Sequence, residues 1–169
     1  MKRIPFKAPL LSGFVKGQGG HLAAIMRGLT VNGVEQPAYA LIVSEPAKGQ
    51  IISAWGERGK MIEGSDSRRD GKANTDAMAA ADCPAAIKVK ALKIEGHSDW
   101  YIPSLGEMNA AAANAPELFD KAWYWTSTQS SSGSAFVQDF EFGDSHWGIK
   151  DFERRVRAFR RIPPEALNT

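Results

Sequence analysis

Oxygen-bearing side chains recur at short spacing between Glu63 and Thr75, a pattern that could bind a cation. Calcium takes carboxylate and amide oxygens from alternating positions of a loop that ends in a glutamate. An EF-hand is excluded, because Arg68 occupies the third ligand position and Ala77 stands where the last glutamate belongs. A looser calcium site remains open, with three ligands: Asp66, Asp70 and Asn74. The alternative is a hydrogen-bonded loop in which Arg68 and Arg69 pair with nearby carboxylates.

Residues 129–134 and 143–148 are each expected to form a turn at a strand end, and both stretches carry polar side chains. A tryptophan beside polar groups suits carbohydrate or protein recognition, because the ring supplies contact area and the polar groups supply orientation. The candidate ligand-binding residues are Gln129, Ser130, Ser132, Asp144, Ser145, His146 and Trp147. The alternative is a pair of solvated hairpin turns, with Trp147 folded back onto the core.

Catalytic chemistry has few candidates in this chain. Cys83 is the single cysteine, so an internal disulfide is excluded. It precedes Pro84 at an expected helix start, where a thiolate is mildly favoured, although a buried and inert thiol is the more frequent case. The three histidines are far apart, which argues against an ordinary zinc site. The sequence therefore predicts a protein that is not an enzyme and that uses no cofactor, with calcium as the one open possibility.

Basic residues are concentrated between Lys150 and Arg161, although the formal net charge of the chain is only +2. Such a run could contact the phosphates of a nucleic acid. In a strand, however, Arg155, Arg157 and Arg161 would share one outer face and could pair with Asp139 and Glu141 on a neighbouring strand. Cross-strand pairing is the favoured interpretation, and nucleic acid is not an expected partner.

The elements that position these residues follow from periodicity and turn signals. Strands are predicted at 38–44, 50–55, 122–128, 135–142 and 154–162, with the first two joined as a hairpin through Lys48-Gly49. Helices are predicted from Asn74 or Thr75 to Ala81, from 84 to 93, and after Ser104, where Glu107 completes a capping box. The result is an α+β fold with a mainly antiparallel sheet and two or three helices. The expected organisation is an N-terminal arm (1–15), one domain (16–163) and a tail (164–169).

Several distinctive stretches carry a resemblance to a known family: 17–28, 63–75, 96–108 with Asp-Trp-Tyr-Ile-Pro-Ser, 124–129 with Tyr-Trp-Thr-Ser-Thr-Gln, and 155–161. Together they resemble an uncharacterised family of bacterial, prophage and phage proteins, and the C-terminal domain of the Legionella collagen-like adhesin. The resemblance implies a C-type-lectin-like fold. Four residues of these motifs are expected to be framework rather than site: Asp99 as an acceptor of backbone N–H groups, Pro103 before a helix, and Trp100 and Trp125 as core anchors.

The resemblance implies a non-enzymatic binding or structural module of a phage or prophage particle, associated with its tail or fibre. Its expected partners are a host-surface glycan or protein, or other virion proteins, and it is expected to form a homo-oligomer. The alternative is an intracellular, prophage-encoded regulator that binds protein or nucleic acid. The sequence shows neither a secretion signal nor an apolar run near the roughly 20 residues of a membrane span. The expected location is therefore the virion or the bacterial cytoplasm.

Overall fold

Two antiparallel-rich sheets form the framework in the computed structural model, which describes residues 10–168. The first sheet is fully antiparallel. Its strands, in spatial order, are β1 (Phe14–Val15), β2 (Gly20–Met26), β5 (Tyr39–Ser44) and β11 (Phe159–Ile162). A separate short hairpin consists of β3 (Thr30–Val31) and β4 (Val34–Glu35).

The second sheet has five strands and carries the predicted ligand-binding stretches. In spatial order they are β6 (Gln50–Ala54), β10 (Glu153–Arg157), β7 (Trp123–Gln129), β8 (Ser134–Asp139) and β9 (Ser145–Ile149). Three of its four strand contacts are antiparallel, and only the contact between β10 and β7 is parallel. The strand β9 is therefore an edge of this sheet.

Helices cover the sheets at several points. They are α1 (Pro46–Gly49), α2 (Gly71–Ala80), α3 (Pro84–Lys90) and α4 (Leu105–Asn114), with short 3-10 turns at Pro116–Leu118 and Pro164–Asn168. Three of them are substantial, so the predicted α+β class, with mostly antiparallel sheets and two or three helices, is confirmed at that level. Within residues 10–168, no helix is long and apolar enough to cross a membrane.

Helix starts follow the capping rules, with one correction. The predicted capping box is confirmed: the Ser104 hydroxyl accepts from the backbone N–H of Glu107, and the Glu107 carboxylate accepts from the N–H of Ser104. The prediction that α2 begins after Asn74 or Thr75 was wrong. It begins at Gly71, because Asp70 is the N-cap and accepts from Ala73 N at 3.0 Å.

Two strand predictions were also wrong. Strands β5 and β6 do not form a hairpin, because the four-residue helix α1 carries the chain from one sheet to the other. The single last strand predicted at 154–162 is two strands, β10 and β11, which belong to different sheets. The break lies at Ala158, whose N–H donates to Gly49 O and whose carbonyl accepts from Ser44 N.

Trp100 and Trp125, predicted as framework, lie in the core, and so does Trp55. The indole N–H groups of Trp55, Trp100 and Trp125 donate to the carbonyls of Thr126, His97 and Ser53 respectively. Pro103 is also buried, and its carbonyl accepts from Ser127 N at 2.8 Å. Asp99 differs from the expectation, since its carboxylate accepts from the Arg160 guanidinium at 2.7 Å rather than from a backbone N–H.

Most of the predicted N-terminal arm lies outside the described residues, which begin at Leu10. Phe14 and Val15, at its end, pair with β2 as strand β1. In the predicted tail, Ala166 and Leu167 pack against the core.

Candidate functional site

The stretch from Gly143 to Gly148, predicted as a turn, is mostly the strand β9. The turn is shorter and precedes it, with Gly143 in the left-handed region at φ 81°. Gly148 belongs to the strand for a packing reason: a Cβ there would lie 2.9 Å from Arg154 Nε and 3.0 Å from a ring carbon of Trp125. The glycine therefore permits close approach and does not mark a turn.

An open groove of about 530 Å³ lies where β9 meets the turn between β7 and β8. We call it the Trp147 groove, and its lining residues are Arg58, Ser130, Ser131, Gly133, Ser134, Trp147 and Ile149. The Trp147 side chain is 65% exposed, so it does not fold back onto the core. Arg58 is exposed, and its guanidinium forms no hydrogen bond or ion pair among the described residues.

Backbone hydrogen bonds hold the groove open. Gly59 N donates to Ser132 O at 3.0 Å, which fixes the loop that carries Arg58 against the serine turn. Lys150 N donates to Gly133 O at 3.1 Å, which fixes the other side of the turn. The hydroxyls of Ser130 and Ser131 each lie 2.7 Å from Ser134 Oγ. The groove is thus formed before any ligand arrives.

Gln129, predicted as a ligand-binding residue, is buried below the groove and has a structural role. Its side chain brackets the backbone of Ile62, accepting from the N–H at 2.9 Å and donating to the carbonyl at 3.1 Å. Its Oε1 also accepts from Lys150 Nζ at 2.6 Å. With all of these contacts made inside the protein, Gln129 positions the groove and does not face it.

The fully buried Lys150 completes this support. Its ammonium donates to Lys60 O at 2.8 Å and lies 4.7 Å from the centroid of the Trp55 ring. No carboxylate lies in ion-pair contact with it among residues 10–168. Burial lowers the pKa of Lys150 to about 8.

The remaining predicted residues do not all reach the groove. Ser145 donates to Asn109 Oδ1 at 2.8 Å, which directs its hydroxyl toward α4. His146 lies on the opposite face of β9, where its ring stacks on Trp123 with centroids 5.3 Å apart, and Asp144 Oδ2 is 3.8 Å from its Nε2. Ser132 is half-buried and contributes its carbonyl to the Gly59 bond. The structure therefore brings Ser130 and Trp147 together and separates the others from them.

The groove contains residues that the sequence analysis missed: Arg58, Ser131 and Ser134. Ser131 and Ser134 lie in the polar stretch 129–134, in which Gln129, Ser130 and Ser132 were predicted to bind the ligand instead. Arg58 carried no local signal, because its approach depends on a backbone bond between Gly59 and Ser132, which are distant in sequence.

Two of the three candidate calcium ligands have other partners. Asp70 caps α2 and accepts from Arg161 at 2.5 Å. Asn74 is buried, and its amide contacts Ser67 O at 2.7 Å, while Asp66 is exposed. Among residues 10–168, no three side chains of His, Cys, Asp or Glu gather as metal ligands would.

The arginines of the last two strands face inward more than predicted. Arg157 is buried and donates to Ser44 O and to Gln50 Oε1, both at 3.0 Å. Arg155 is nearer the surface and lies 3.6 Å from Asp120. The predicted pairing with Asp139 and Glu141 was wrong, because the neighbours of β10 are β6 and β7 rather than β8.

A second polar cluster lies inside the molecule. The buried Glu107 carboxylate accepts from Gly71 N at 2.8 Å and from the Tyr101 hydroxyl, and burial raises the pKa of Glu107. Arg161 lies over the rings of Tyr39 and Tyr101, at 5.0 and 5.1 Å from their centroids. A cavity of about 400 Å³ adjoins Tyr39 and Arg161, with walls that include three prolines: Pro37, Pro163 and Pro164.

Cys83 is buried in the larger apolar cluster, among residues such as Trp55 and Val89. Burial raises the pKa of the Cys83 thiol, which opposes formation of the nucleophilic thiolate. Trp55, Trp100 and Trp125 belong to the same core cluster as Cys83.

No protein-family model matches this chain, and no curated protein matches it. Among solved structures, the chain is similar to a fimbrial protein from Bacteroides ovatus, with a TM-score of 0.48 and 13% sequence identity. The similarity covers 76% of this chain and 36% of the fimbrial protein, so this chain spans about a third of that protein's length.

Proposed function

We propose that this protein is a non-enzymatic binding module that recognises a host-surface glycan or protein through the Trp147 groove. The observation that carries the proposal is a largely exposed indole beside a free guanidinium and a set of serine hydroxyls, in a groove fixed by backbone bonds.

The chemistry of the groove suits recognition. An indole offers a large rigid face for a sugar ring or an apolar side chain, with little loss of conformational entropy. The hydroxyls of Ser130 and Ser131 and the charge of Arg58 add directional contacts around that face. Because the turn and the loop of Arg58 are already held in place, binding requires little ordering of the protein.

The absence of enzyme activity is part of the proposal. Two groups able to perform acid, base or nucleophilic chemistry are turned inward: Cys83 is buried with a raised pKa, and Glu107 is enclosed by its donors. Arg157 is one of the arginines that suggested a nucleic-acid-binding regulator. It is buried, so it is not available to contact phosphate groups.

The finer assignment is a C-type-lectin-like module of a phage or prophage particle, carried as a homo-oligomer. It rests on the motif resemblance, and the geometry of the groove is compatible with it. Light scattering on the purified full chain would measure the oligomeric state.

The test is a screen of the labelled protein against bacterial cell surfaces and a glycan array, with two variants in parallel. Trp147→Ala removes the central ring of the groove, and we expect at least tenfold weaker binding to any ligand found. Phe142→Ala is the matched control, because Phe142 is also highly exposed, at 75%, but does not line the groove. Equal binding by the wild type and Trp147→Ala would contradict the proposal.

A further inference from the structure

The strand β9 exposes backbone hydrogen-bonding groups along one side. In an antiparallel pair, directly opposed residues alternate between hydrogen-bonded and non-hydrogen-bonded pairs. Two hydrogen bonds show which opposed pairs of β8 and β9 are the bonded ones: Lys150 N donates to Gly133 O, and Asp139 N donates to Asp144 O. With Ile149 opposite Ser134, the bonded residues of β9 are therefore 146 and 148.

It follows that Ser145, Trp147 and Ile149 direct their backbone N–H and C=O groups away from β8. One of these groups is already used, because Ile149 O accepts from Phe152 N at 3.1 Å. Within residues 10–168, the groups left without a partner are the three N–H groups and the carbonyls of Ser145 and Trp147. They recur every second residue, which is the spacing of a β-ladder.

Two other sheet edges, β6 and β11, make contacts along their outer sides. At β6, the ammonium of Lys88 approaches Ile52 O at 3.5 Å. At β11, Phe159 exchanges two backbone hydrogen bonds of 2.9 Å with Tyr101. Natural proteins protect exposed edges with lysine, proline, bulges or very short strands. The five residues of β9 include no lysine and no proline, and its register with β8 is regular.

We propose that β9 receives an extended peptide segment of a partner protein by strand addition. This inference rests on the proposed function and names the ligand class of the same groove. A residue of the added strand opposite Trp147 places its side chain on the same face as the indole, so an apolar residue is favoured there. Arg58 lies in the same groove without an ionic partner, so an acidic residue at one end of the segment supplies the complementary charge.

Two fluorescent seven-residue peptides test the inference on the full-length protein. One alternates valine and phenylalanine with threonine and ends in glutamate, and the other has the reversed sequence. We expect one of them to shift the backbone amide signals of Ser145, Trp147 and Ile149 in the NMR spectrum and to protect these amides from hydrogen exchange.

Methylated versions of the binding peptide provide the matched comparison without changing the protein. N-methyl groups on the backbone nitrogens that face β9 remove donors and introduce a clash, so the affinity falls at least tenfold. N-methyl groups on the alternate nitrogens face away and leave most of the affinity intact.

A pair of protein variants tests the same edge from the other side. Ser145→Pro removes an outward N–H, at a position where proline does not interrupt the bonds to β8. Ser145→Ala loses the same hydroxyl but keeps the N–H, and it should bind the peptide at least tenfold more tightly than Ser145→Pro does.

The inference is overturned if neither peptide shifts the three amides, or if both methylated series bind equally well. Glycan or cell binding that depends on Trp147, without any peptide binding, would overturn strand addition while leaving the proposed function intact. If the protein shows neither peptide binding nor binding that depends on Trp147, both strand addition and the proposed function are contradicted.

Discussion

Lys150 shows how a single buried charge supports an exposed site. Its ammonium ties the carbonyl of Lys60 to the side chain of Gln129, so it joins the loop below Arg58 to the strand that leads into the serine turn. Burial without a carboxylate partner disfavours the charged form, which is why the pKa of Lys150 falls to about 8 from its ordinary value of 10.5.

This lowered pKa predicts a pH-dependent stability. Between pH 8 and 10 the unfolded chain holds a proton on Lys150 that the folded protein has lost, so the free energy of unfolding should rise with pH. Cys83 acts in the opposite direction, because the raised pKa of its thiol makes stability fall as the unfolded thiol ionises. The contribution of Lys150 is isolated by comparing two proteins, the single variant Cys83→Ala and the double variant Cys83→Ala with Lys150→Met. Their free energies of unfolding are measured in urea from pH 7 to 10.

The Cys83→Ala protein should gain stability over this range relative to the double variant. Parallel pH dependence of the two proteins would contradict the assignment of a lowered pKa to Lys150. The range stops at pH 10, where the tyrosines of the unfolded chain, with a pKa of about 10, are about half ionised.

Two arginines of β10 should differ sharply in their effect on stability. Arg157→Ala leaves Ser44 O and Gln50 Oε1 without their donor and opens space beside the rings of Phe119 and Tyr124, so we expect a loss of about 2 to 4 kcal/mol. Arg155→Ala removes one partly exposed ion pair and should change stability by less than about 1 kcal/mol. Denaturant unfolding measures both, and similar losses would mean that Arg157 is not the buried connection between the sheets.

At the scale of the elements, Glu107 links α2 to α4. Its carboxylate closes the capping box of α4 and also accepts from Gly71 N in the first turn of α2. Glu107→Ala should therefore lower the free energy of unfolding by about 3 kcal/mol or more, because buried donors lose their acceptor. Glu141→Ala, at an exposed position, should remain within about 0.5 kcal/mol of the wild type. Equal effects on thermal or urea unfolding would contradict this role.

The starts of α3 and α4 were predictable because their signals are local. Ser104 and Glu107 are three residues apart, and Pro84 stands at the first position of α3. The strands were harder to predict, because the sheet to which a strand belongs depends on partners that are distant in sequence. Gly148 looked like a turn residue because its reason for being glycine, the approach of Arg154 and Trp125, comes from other strands. Similarly, the alternation from Arg154 to Ile162 gave no sign that Ala158 divides it between two sheets.

At the scale of the whole molecule, a rigid interior supports a site at one sheet edge. Buried tryptophans and enclosed polar groups hold the two sheets, while Trp147 and the outward side of β9 remain available. The sequence analysis expected Trp100 and Trp125 in the core, where both lie, and it left open whether Trp147 is exposed or folded back. It could not predict Arg58, because that residue enters the groove through contacts between segments far apart in the chain.

Chemical-shift mapping of the isotope-labelled protein, with a ligand identified on cell surfaces or on arrays, tests the central claim most directly. We expect the changes to centre on Arg58, residues 130–134 and β9, with the indole signals of Trp55, Trp100 and Trp125 unmoved. Changes centred on those three indoles, or on the cavity beside Tyr39 and Arg161, would contradict a framework that presents its binding site at the edge.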